Sequence, residues 1–187
     1  MTVKIDLPDA ELSQIYPSLD VVAPLLLNSG LRIAVAESCT GGLFGGALTE
    51  VSGSSVYMVG GVIAYDDMVK KLLLSVPDDL IRESGAVSEE CAREMARGVA
   101  KLLSADIGVS ITGISGPLGG SDAKPVGTTY IGLYTSDFER VEHYRWNGNR
   151  TENRNLSVDA ALSMVGEYLA MRKNIGRDIV AELKRDE

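Results

Sequence analysis

The spacing of apolar positions along the chain predicts helices that alternate with short strands. Apolar residues at helical spacing over residues 9–30 predict an amphipathic helix that bends at Pro17 and ends at Gly30. Short runs rich in β-branched residues predict buried strands over residues 31–36, 56–65 and 106–112. Helices are predicted over residues 43–51, 66–74, 77–83 and 89–103. This alternation is typical of α/β proteins.

The last part of the chain predicts a hairpin followed by two helices. Two more strands are predicted over residues 126–135 and 140–146. Asn149 and Glu152 have the spacing of a capping box for a helix that runs through Met171. A separate amphipathic helix is predicted over residues 174–187.

The order of these elements predicts a three-layer α/β/α fold with a mixed, mostly parallel central sheet. At 187 residues, we expect one domain over residues 1–187 with a core at 31–155. The flanking helical segments at 1–30 and 156–187 carry apolar stripes and have no obvious sheet face to cover. We therefore expect a homo-oligomer that associates through these terminal helices.

Charge and cysteine content narrow the class of protein. A net charge of −8 argues against a nucleic-acid coat or a polybasic membrane surface, and leaves room for one small anion held by well-placed arginines. No apolar signal region or membrane-span-length run occurs, and Cys39 and Cys91 fall in different predicted elements. We expect a cytoplasmic protein without a disulfide framework, a nucleic-acid partner or a membrane partner.

Histidine is nearly absent, which limits the catalytic chemistry. The only histidine, His143, lies in an alternating strand pattern and is expected to be an ordinary strand residue. A Ser-His-Asp or Cys-His site would depend on it. No cluster of Cys, His and carboxylates has the spacing of a metal site, so we expect neither a zinc hydrolase nor any other cofactor.

Residues 36–42, Ala-Glu-Ser-Cys-Thr-Gly-Gly, connect a predicted strand to a predicted helix. Such a turn presents unpaired amides at a helix N-terminus, where they stabilise an anion or a developing oxyanion. We hypothesise that Ser38 is a nucleophile in this turn. Amides around residues 40–42, or that of Gly113, are the candidate oxyanion donors.

Without histidine, another group must take the proton of Ser38. A lysine can do so when burial or cationic neighbours depress its pKa towards neutrality. Lys70 lies five residues after Tyr65, in the helix that follows the second predicted strand. Parallel strands would bring Lys70 to the same sheet edge as Ser38. Spacing alone leaves open the alternative of a solvated surface lysine.

Ser121 and Lys124 form a second serine–lysine pattern, S-x-x-K, which serine acyl enzymes use. That chemistry requires both residues on one helical turn. The preceding Gly119 and Gly120, and Pro125 immediately after, disfavour a helix here. We interpret the match as accidental.

The glycine-rich segment 112–128 and two arginines are candidates for anion binding. Glycine frees backbone amides to cradle an anion, and the segment's serine, lysine and threonine side chains add donors. Arg150 and Arg154 oppose the dipole at the start of their helix, and a bound phosphate would compensate for this. A plain surface loop and a pair of solvated arginines are the alternatives.

Together these stretches resemble the CinA C-terminal domain family of competence/damage-inducible proteins, whose active members are nicotinamide-nucleotide amidohydrolases. The matching stretches are residues 36–42, 53–55, Tyr65 with Lys70, 85–89, 112–117, 119–121, 124–128 and 148–150. They occur in order within about residues 31–155, and their combination is highly specific. Larger members carry a second, N-terminal domain, so the resemblance implies a stand-alone version.

The resemblance implies hydrolysis of nicotinamide mononucleotide to nicotinic acid mononucleotide and ammonia, without a metal. It implies that Ser38 is the nucleophile, Lys70 the general base and Tyr65 a further residue of the catalytic site. The expected partner is therefore a small-molecule nucleotide. The expected substrate-binding residues are Thr40, Gly41, Gly42, Thr112, Gly113, Gly120, Ser121, Lys124, Thr128 and Arg150.

Two positions depart from the family's pattern. Leu118 stands where members often have Asp, and Thr112 replaces a frequent Ser. Leu118 removes an acceptor beside the substrate, which bears on substrate choice. A catalytically inactive nucleotide-binding or assembly module of the same fold is the alternative function. A phosphate-ester or sugar-nucleotide hydrolase would normally need a metal cluster that the sequence lacks.

Overall fold

A computed structural model of the protein describes residues 10–183 and the side chains of residues 11–174. The helices in this range are α1 (Ala10–Ile15), α2 (Leu19–Ser29), α3 (Leu43–Glu50), α4 (Asp67–Leu74), α5 (Asp78–Ser84), α6 (Glu89–Leu103) and α7 (Arg150–Leu183). The strands are β1 (Ile33–Glu37), β2 (Met58–Ile63), β3 (Ile107–Gly113), β4 (Thr128–Tyr134) and β5 (Glu139–Arg145). None of these helices is long and apolar enough to cross a lipid bilayer.

The strands form one mixed sheet in the order β2-β1-β3-β4-β5. β1 pairs in parallel with β2 and β3, whereas β4 pairs antiparallel with β3 and β5. The predicted mixed sheet is confirmed, with parallel pairing confined to β2, β1 and β3. Because parallel strands end at the same edge of a sheet, the segments that follow these three strands meet there.

Helices cover both faces of the sheet, which confirms the three-layer arrangement. Successive side chains of a strand point to opposite faces, and β1 contributes to two cores in this way. Ile33 and Val35 pack in the core that includes α2, α3 and α7, whereas Ala34 and Ala36 pack in the core that includes α4 and α6. β1 is therefore buried along its whole length.

The described parts of the two terminal segments belong to the core, contrary to the expectation that no sheet face remained for them. The predicted first helix is divided into α1 and α2 around Pro17, and Leu19, Val22 and Leu26 of α2 are fully buried. They pack against α7 and the sheet. The apolar stripe of α2 is used within the chain and no longer argues for self-association. The side chains of residues 175–187 lie outside the described residues, and the oligomeric state stays a prediction.

The helix predicted to end at Met171 and the separate helix predicted from residue 174 form one continuous element, α7. No proline interrupts residues 171–176, and a glycine such as Gly176 costs a helix only about 1 kcal/mol. The capping box at its start is confirmed, because the Asn149 side chain accepts from the Thr151 and Glu152 amides while Glu152 accepts from the Asn149 amide.

β2 is shorter than the predicted strand, because residues 54–56 form a 3₁₀ helix and the strand begins at Met58. The strand is irregular at Gly60 and Gly61, because the pairing register with β1 shifts before Ala34, which pairs with Gly60. A Cβ on Gly61 would lie 2.4 Å from the Val35 side chain. The second glycine therefore permits the close approach of β2 to β1.

α4 packs closely on α6 through Gly98, where an added Cβ would lie 2.0 Å from the Leu74 carbonyl oxygen. We expect Gly98→Ala to lower the free energy of unfolding by about 1–3 kcal/mol, although alanine favours helices, because α4 would have to move. Gly46→Ala in α3 is the matched control: no atom lies within 4 Å of its Cβ position. The control should stabilise the protein by about 0.5–1 kcal/mol in urea unfolding. A Gly98→Ala variant as stable as Gly46→Ala would contradict this packing.

Candidate active site

Ser38 lies in a tight turn at the carboxyl end of β1. Its amide donates to the Ile111 carbonyl at 2.9 Å, and its carbonyl accepts from the Gly41 amide at 3.2 Å. Gly41 and Gly42 have φ angles of 60° and 100°, a left-handed backbone conformation that glycine adopts at low cost. The Ser38 side chain makes no hydrogen bond to any other described residue and is free to react.

Glu37 occupies the amides at the start of α3. This carboxylate is buried and accepts from the Gly42, Phe44 and Gly45 amides at 2.9, 3.1 and 2.8 Å. A negative charge at a helix N-terminus is favourable because of the dipole and the unpaired amides. The anion-binding position expected at residues 40–42 is therefore filled by the chain itself, which corrects the assignment of the Gly42 amide to the substrate.

Lys70 lies about one helical turn into α4, the helix that follows β2, and its side chain is 2% exposed. Its Nζ donates to the Tyr65 carbonyl at 3.2 Å and to Asp67 Oδ1 at 3.0 Å. These two acceptors satisfy a cation that is otherwise removed from water. The alternative of a solvated surface lysine is therefore wrong.

Ser38 and Lys70 line the same cavity, whose volume is about 280 Å³. It lies at the carboxyl ends of β1, β2 and β3, as the parallel pairing requires. Of the other predicted site residues, it is lined by Tyr65, Thr112, Gly113 and Arg150. Asp67, Ser115, Gly116 and Leu118 also line it. The structure thus brings both halves of the expected Ser–Lys pair to one cavity.

The start of α7 holds the part of the cavity wall formed by residues 115–116. Arg150 Nη1 donates to the Gly116 carbonyl at 2.8 Å, and the buried Asn153 side chain donates to the Ser115 carbonyl at 3.2 Å. Leu118, at the cavity's rim, is 85% exposed. Within the described residues, the Ser115 and Gly116 amides donate to no other group, so they remain available to a ligand.

The other predicted binding residues do not line this cavity. Thr40 is buried, and its carbonyl accepts from Arg154 Nη2 at 2.7 Å, while Gly41 is exposed on the turn. Lys124 Nζ donates to the Ser84 carbonyl at 2.6 Å. The remaining three, Gly120, Ser121 and Thr128, lie elsewhere in the glycine-rich loop or at the start of β4.

As expected from the sequence, Ser121 and Lys124 of the S-x-x-K pattern do not lie on one helical turn. Residues 119–126 have no helical backbone, and the Ser121 hydroxyl accepts from the Lys124 amide at 3.1 Å. The Ser121 amide in turn donates to the Lys124 carbonyl at 2.9 Å. These residues close their own loop rather than form a catalytic pair.

Other nucleophiles and bases are unsuited to this site. Burial raises the pKa of the Cys39 thiol to about 11, so it is neutral at neutral pH and a poor nucleophile. His143 is exposed on β5, where it stacks on Tyr130 with ring centroids 4.5 Å apart, as expected of a strand residue. Among the described residues, no three His, Cys, Asp or Glu side chains are grouped as ligands of a metal ion.

Sequence reasoning missed Glu37, Asp67 and Asn153. Asp67 precedes Lys70 by three residues, the spacing of an ion pair on a helix, and this signal could have been used. The roles of Glu37 and Asn153 depend on tertiary contacts that have no local sequence pattern.

The fold and the cavity define an α/β domain with a candidate Ser–Lys pair at the carboxyl ends of parallel strands. The sequence matches the profile of the CinA C-terminal domain over residues 17–169. The chain belongs to this family.

Relatives and solved structures agree with this family. The chain is 48% identical over 157 residues to a CinA-like protein of Trichodesmium erythraeum, covering 82% of this chain and 37% of that protein. The structure of a CinA superfamily protein from Klebsiella pneumoniae has a TM-score of 0.80 at 32% identity, covering 84% of this chain and 98% of the other. That of competence/damage inducible protein CihA from Agrobacterium tumefaciens has a TM-score of 0.79 at 34% identity, covering 88% and 99%. The chain spans little more than a third of the length of the curated relatives it matches.

We expect Glu37→Ala to lower the free energy of unfolding by at least about 2 kcal/mol, because three amides lose a buried charged acceptor. Glu50→Ala, at the exposed C-terminal end of α3, is the control and should change stability by less than about 0.5 kcal/mol. Urea unfolding monitored by circular dichroism measures both. Equal stability of the two variants would show that the Glu37 carboxylate does not hold the turn.

Proposed function

We propose that this protein is an amidohydrolase that converts nicotinamide mononucleotide to nicotinic acid mononucleotide and ammonia. The observation that carries the proposal is that Ser38 and Lys70, from different elements, line one cavity. Membership of the CinA C-terminal domain family supports the substrate class, because the catalytic residues implied by the resemblance are those at this cavity.

In the proposed mechanism, neutral Lys70 takes the hydroxyl proton of Ser38 while Ser38 Oγ attacks the carboxamide carbon. The oxyanion is held by cavity amides, of which those of Ser115 and Gly116 have no other acceptor among the described residues. The C–N bond then breaks, Lys70 gives its proton to the departing nitrogen, and ammonia leaves an ester on Ser38. Water attacks this ester with Lys70 again as base, which releases the acid and returns a proton to Ser38.

The general base and the oxyanion donors of this mechanism each contribute a rate enhancement of the size that is usual in enzymes. Proton transfer by a positioned base contributes about 10²–10⁴ in rate. Each oxyanion donor contributes about 10²–10³ in kcat. Neutral thiols, such as Cys39, cannot replace the activated serine in this scheme.

The cavity fits the reacting end of a mononucleotide. Its volume of about 280 Å³ lies near the lower limit of small-molecule sites, about 300 Å³. The pyridine carboxamide would fill its inner part, and the 5′-phosphate would lie at the rim. Arg150 reaches this rim and has further N–H groups for a phosphate beyond the one bonded to Gly116. Lys124 would have to leave Ser84 to take part.

A nucleotide-binding module without catalysis is the second candidate. It is favoured by the contacts of Lys70 Nζ, which donates to Tyr65 and Asp67 and not to Ser38. An assay of ammonia release separates the two candidates, because both predict nucleotide binding and only one predicts turnover.

We expect Ser38→Ala to abolish ammonia release from nicotinamide mononucleotide, because the ester cannot form, while the nucleotide still binds. Ser136→Ala, in the exposed loop between β4 and β5, is the matched control and should keep wild-type activity. Ammonia is measured by a coupled assay and binding by calorimetry. Full turnover by Ser38→Ala would exclude Ser38 as the nucleophile, and a wild-type protein that binds but releases no ammonia would favour the module without catalysis.

A further inference from the structure

The buried Lys70 ammonium group has one carboxylate partner within the part of the chain that the structure describes. Asp67 lies one turn before Lys70 in α4, and its Oδ1 accepts from Nζ at 3.0 Å. The Asp67 side chain is 50% exposed and forms part of the cavity wall, whereas the Lys70 side chain is 2% exposed. The pair therefore joins a buried ammonium group to a partly exposed carboxylate, and both residues line the cavity.

The other groups facing Lys70 do not replace this carboxylate. From α6, Cys91 lies within electrostatic reach of Lys70 and Asp67, and burial raises its pKa to about 11, so the thiol is neutral near neutral pH. Glu90 and Lys124 also act on Cys91 at longer range. Neither is hydrogen-bonded to Lys70 among the described contacts.

The remaining groups belong to the cavity itself. Tyr65 contributes its carbonyl to Lys70 Nζ and also lines the cavity, as does Arg150. A carboxylate hydrogen-bonded to an ammonium group favours its charged form. Asp67 is thus the group that stabilises positive charge on Lys70.

We propose that Asp67 is a positioning residue for the reaction: it orients Lys70 towards the cavity and stabilises the ammonium that forms when Lys70 takes the proton of Ser38. This role rests on the proposed amidohydrolase function. The proton moves from Ser38 Oγ to Lys70 Nζ, is held there by the carboxylate, and leaves on the ammonia nitrogen. Asp67 itself neither gains nor loses a proton.

This role has two consequences of opposite sign. A general-base lysine accepts a proton only when it is neutral, and a neighbouring carboxylate favours the charged form of an amine, so activity should rise with pH. Without the carboxylate, the neutral amine persists to lower pH, but the ammonium formed during the reaction is less stable. A purely structural residue would reduce activity without moving its pH dependence.

The test is the pH dependence of kcat/KM for ammonia release by wild-type protein and Asp67→Asn. We expect the acid limb of the Asp67→Asn profile to move to lower pH by about one unit. Its maximal rate should fall roughly tenfold. Asp67→Glu should restore most of both properties. A lower maximum with an unmoved acid limb would overturn the proposal.

The chain offers a matched control in Lys71 and Asp78, an exposed pair joined at 2.8 Å that does not line the cavity. Asp78→Asn removes the same kind of contact from the adjacent lysine and should leave the pH profile as in wild type. A shift of the same size in Asp78→Asn would show that any lost surface carboxylate has this effect, and would also overturn the proposal.

A readout that needs no turnover separates this proposal from the proposed function. Cyanate carbamylates only neutral amines, and peptide mass spectrometry measures the reaction at Lys70. At neutral pH, Lys70 should react several-fold faster in Asp67→Asn than in wild type or Asp78→Asn. If wild type releases no ammonia but this difference is found, the proposed function fails and the Asp67–Lys70 coupling stands. Equal carbamylation in all three proteins would contradict the coupling.

Discussion

The site depends on the buried carboxylate of Glu37, which accepts hydrogen bonds from three amides at the start of α3. These contacts fix the turn between β1 and α3 and fill the position where an external anion would otherwise bind. Ser38 is consequently presented to the cavity by a rigid backbone, and its reaction partners must come from neighbouring segments. The carboxyl edge of β1, β2 and β3 brings those segments within reach.

The second constraint is the burial of Lys70. A lysine side chain that is 2% exposed requires acceptors, and the Tyr65 carbonyl and Asp67 supply them. α4 is held against α6 by the close approach at Gly98, so the position of Lys70 is set by helix packing as well as by its hydrogen bonds. On the other side, Asn153 and Arg150 attach α7 to residues 115–116. The cavity is thus built from three layers of the fold rather than from one loop.

Local sequence signals were sufficient for most of the fold. The capping box of α7 was predicted from a short-range rule and is present. The Ser88 cap of α6 and the irregular glycine pair in β2 follow from equally local features of the sequence. The prediction of two separate helices that meet near residue 174 was wrong, because the residues there do not terminate a helix. The burial of α2 and of the described first part of α7 was missed, because it depends on the order of strands in the sheet.

The site was predictable to a lesser extent. The absence of a usable histidine and the order of elements indicated Ser38 and Lys70, and the family resemblance supplied Tyr65, yet side-chain contacts decided which other residues reach the cavity. Lys124 and Ser121 carry groups that could bind an anion. However, the Lys124 side chain donates to the Ser84 carbonyl, and the Ser121 hydroxyl accepts from an amide of its own loop. Glu37 lies within residues 36–42, but its role could not be predicted because it depends on the three-dimensional path of α3.

Lys70 and Ser38 act as one catalytic unit in the proposed mechanism, and a comparison of Lys70→Met with Lys71→Met measures this. Nicotinamide mononucleotide binding, measured by calorimetry, should be similar in both variants. Lys70→Met should release ammonia at least about 10²-fold more slowly than wild type, and Lys71→Met at the wild-type rate. A Lys70→Met variant with an unchanged kcat would show that Lys70 is not the base that activates Ser38.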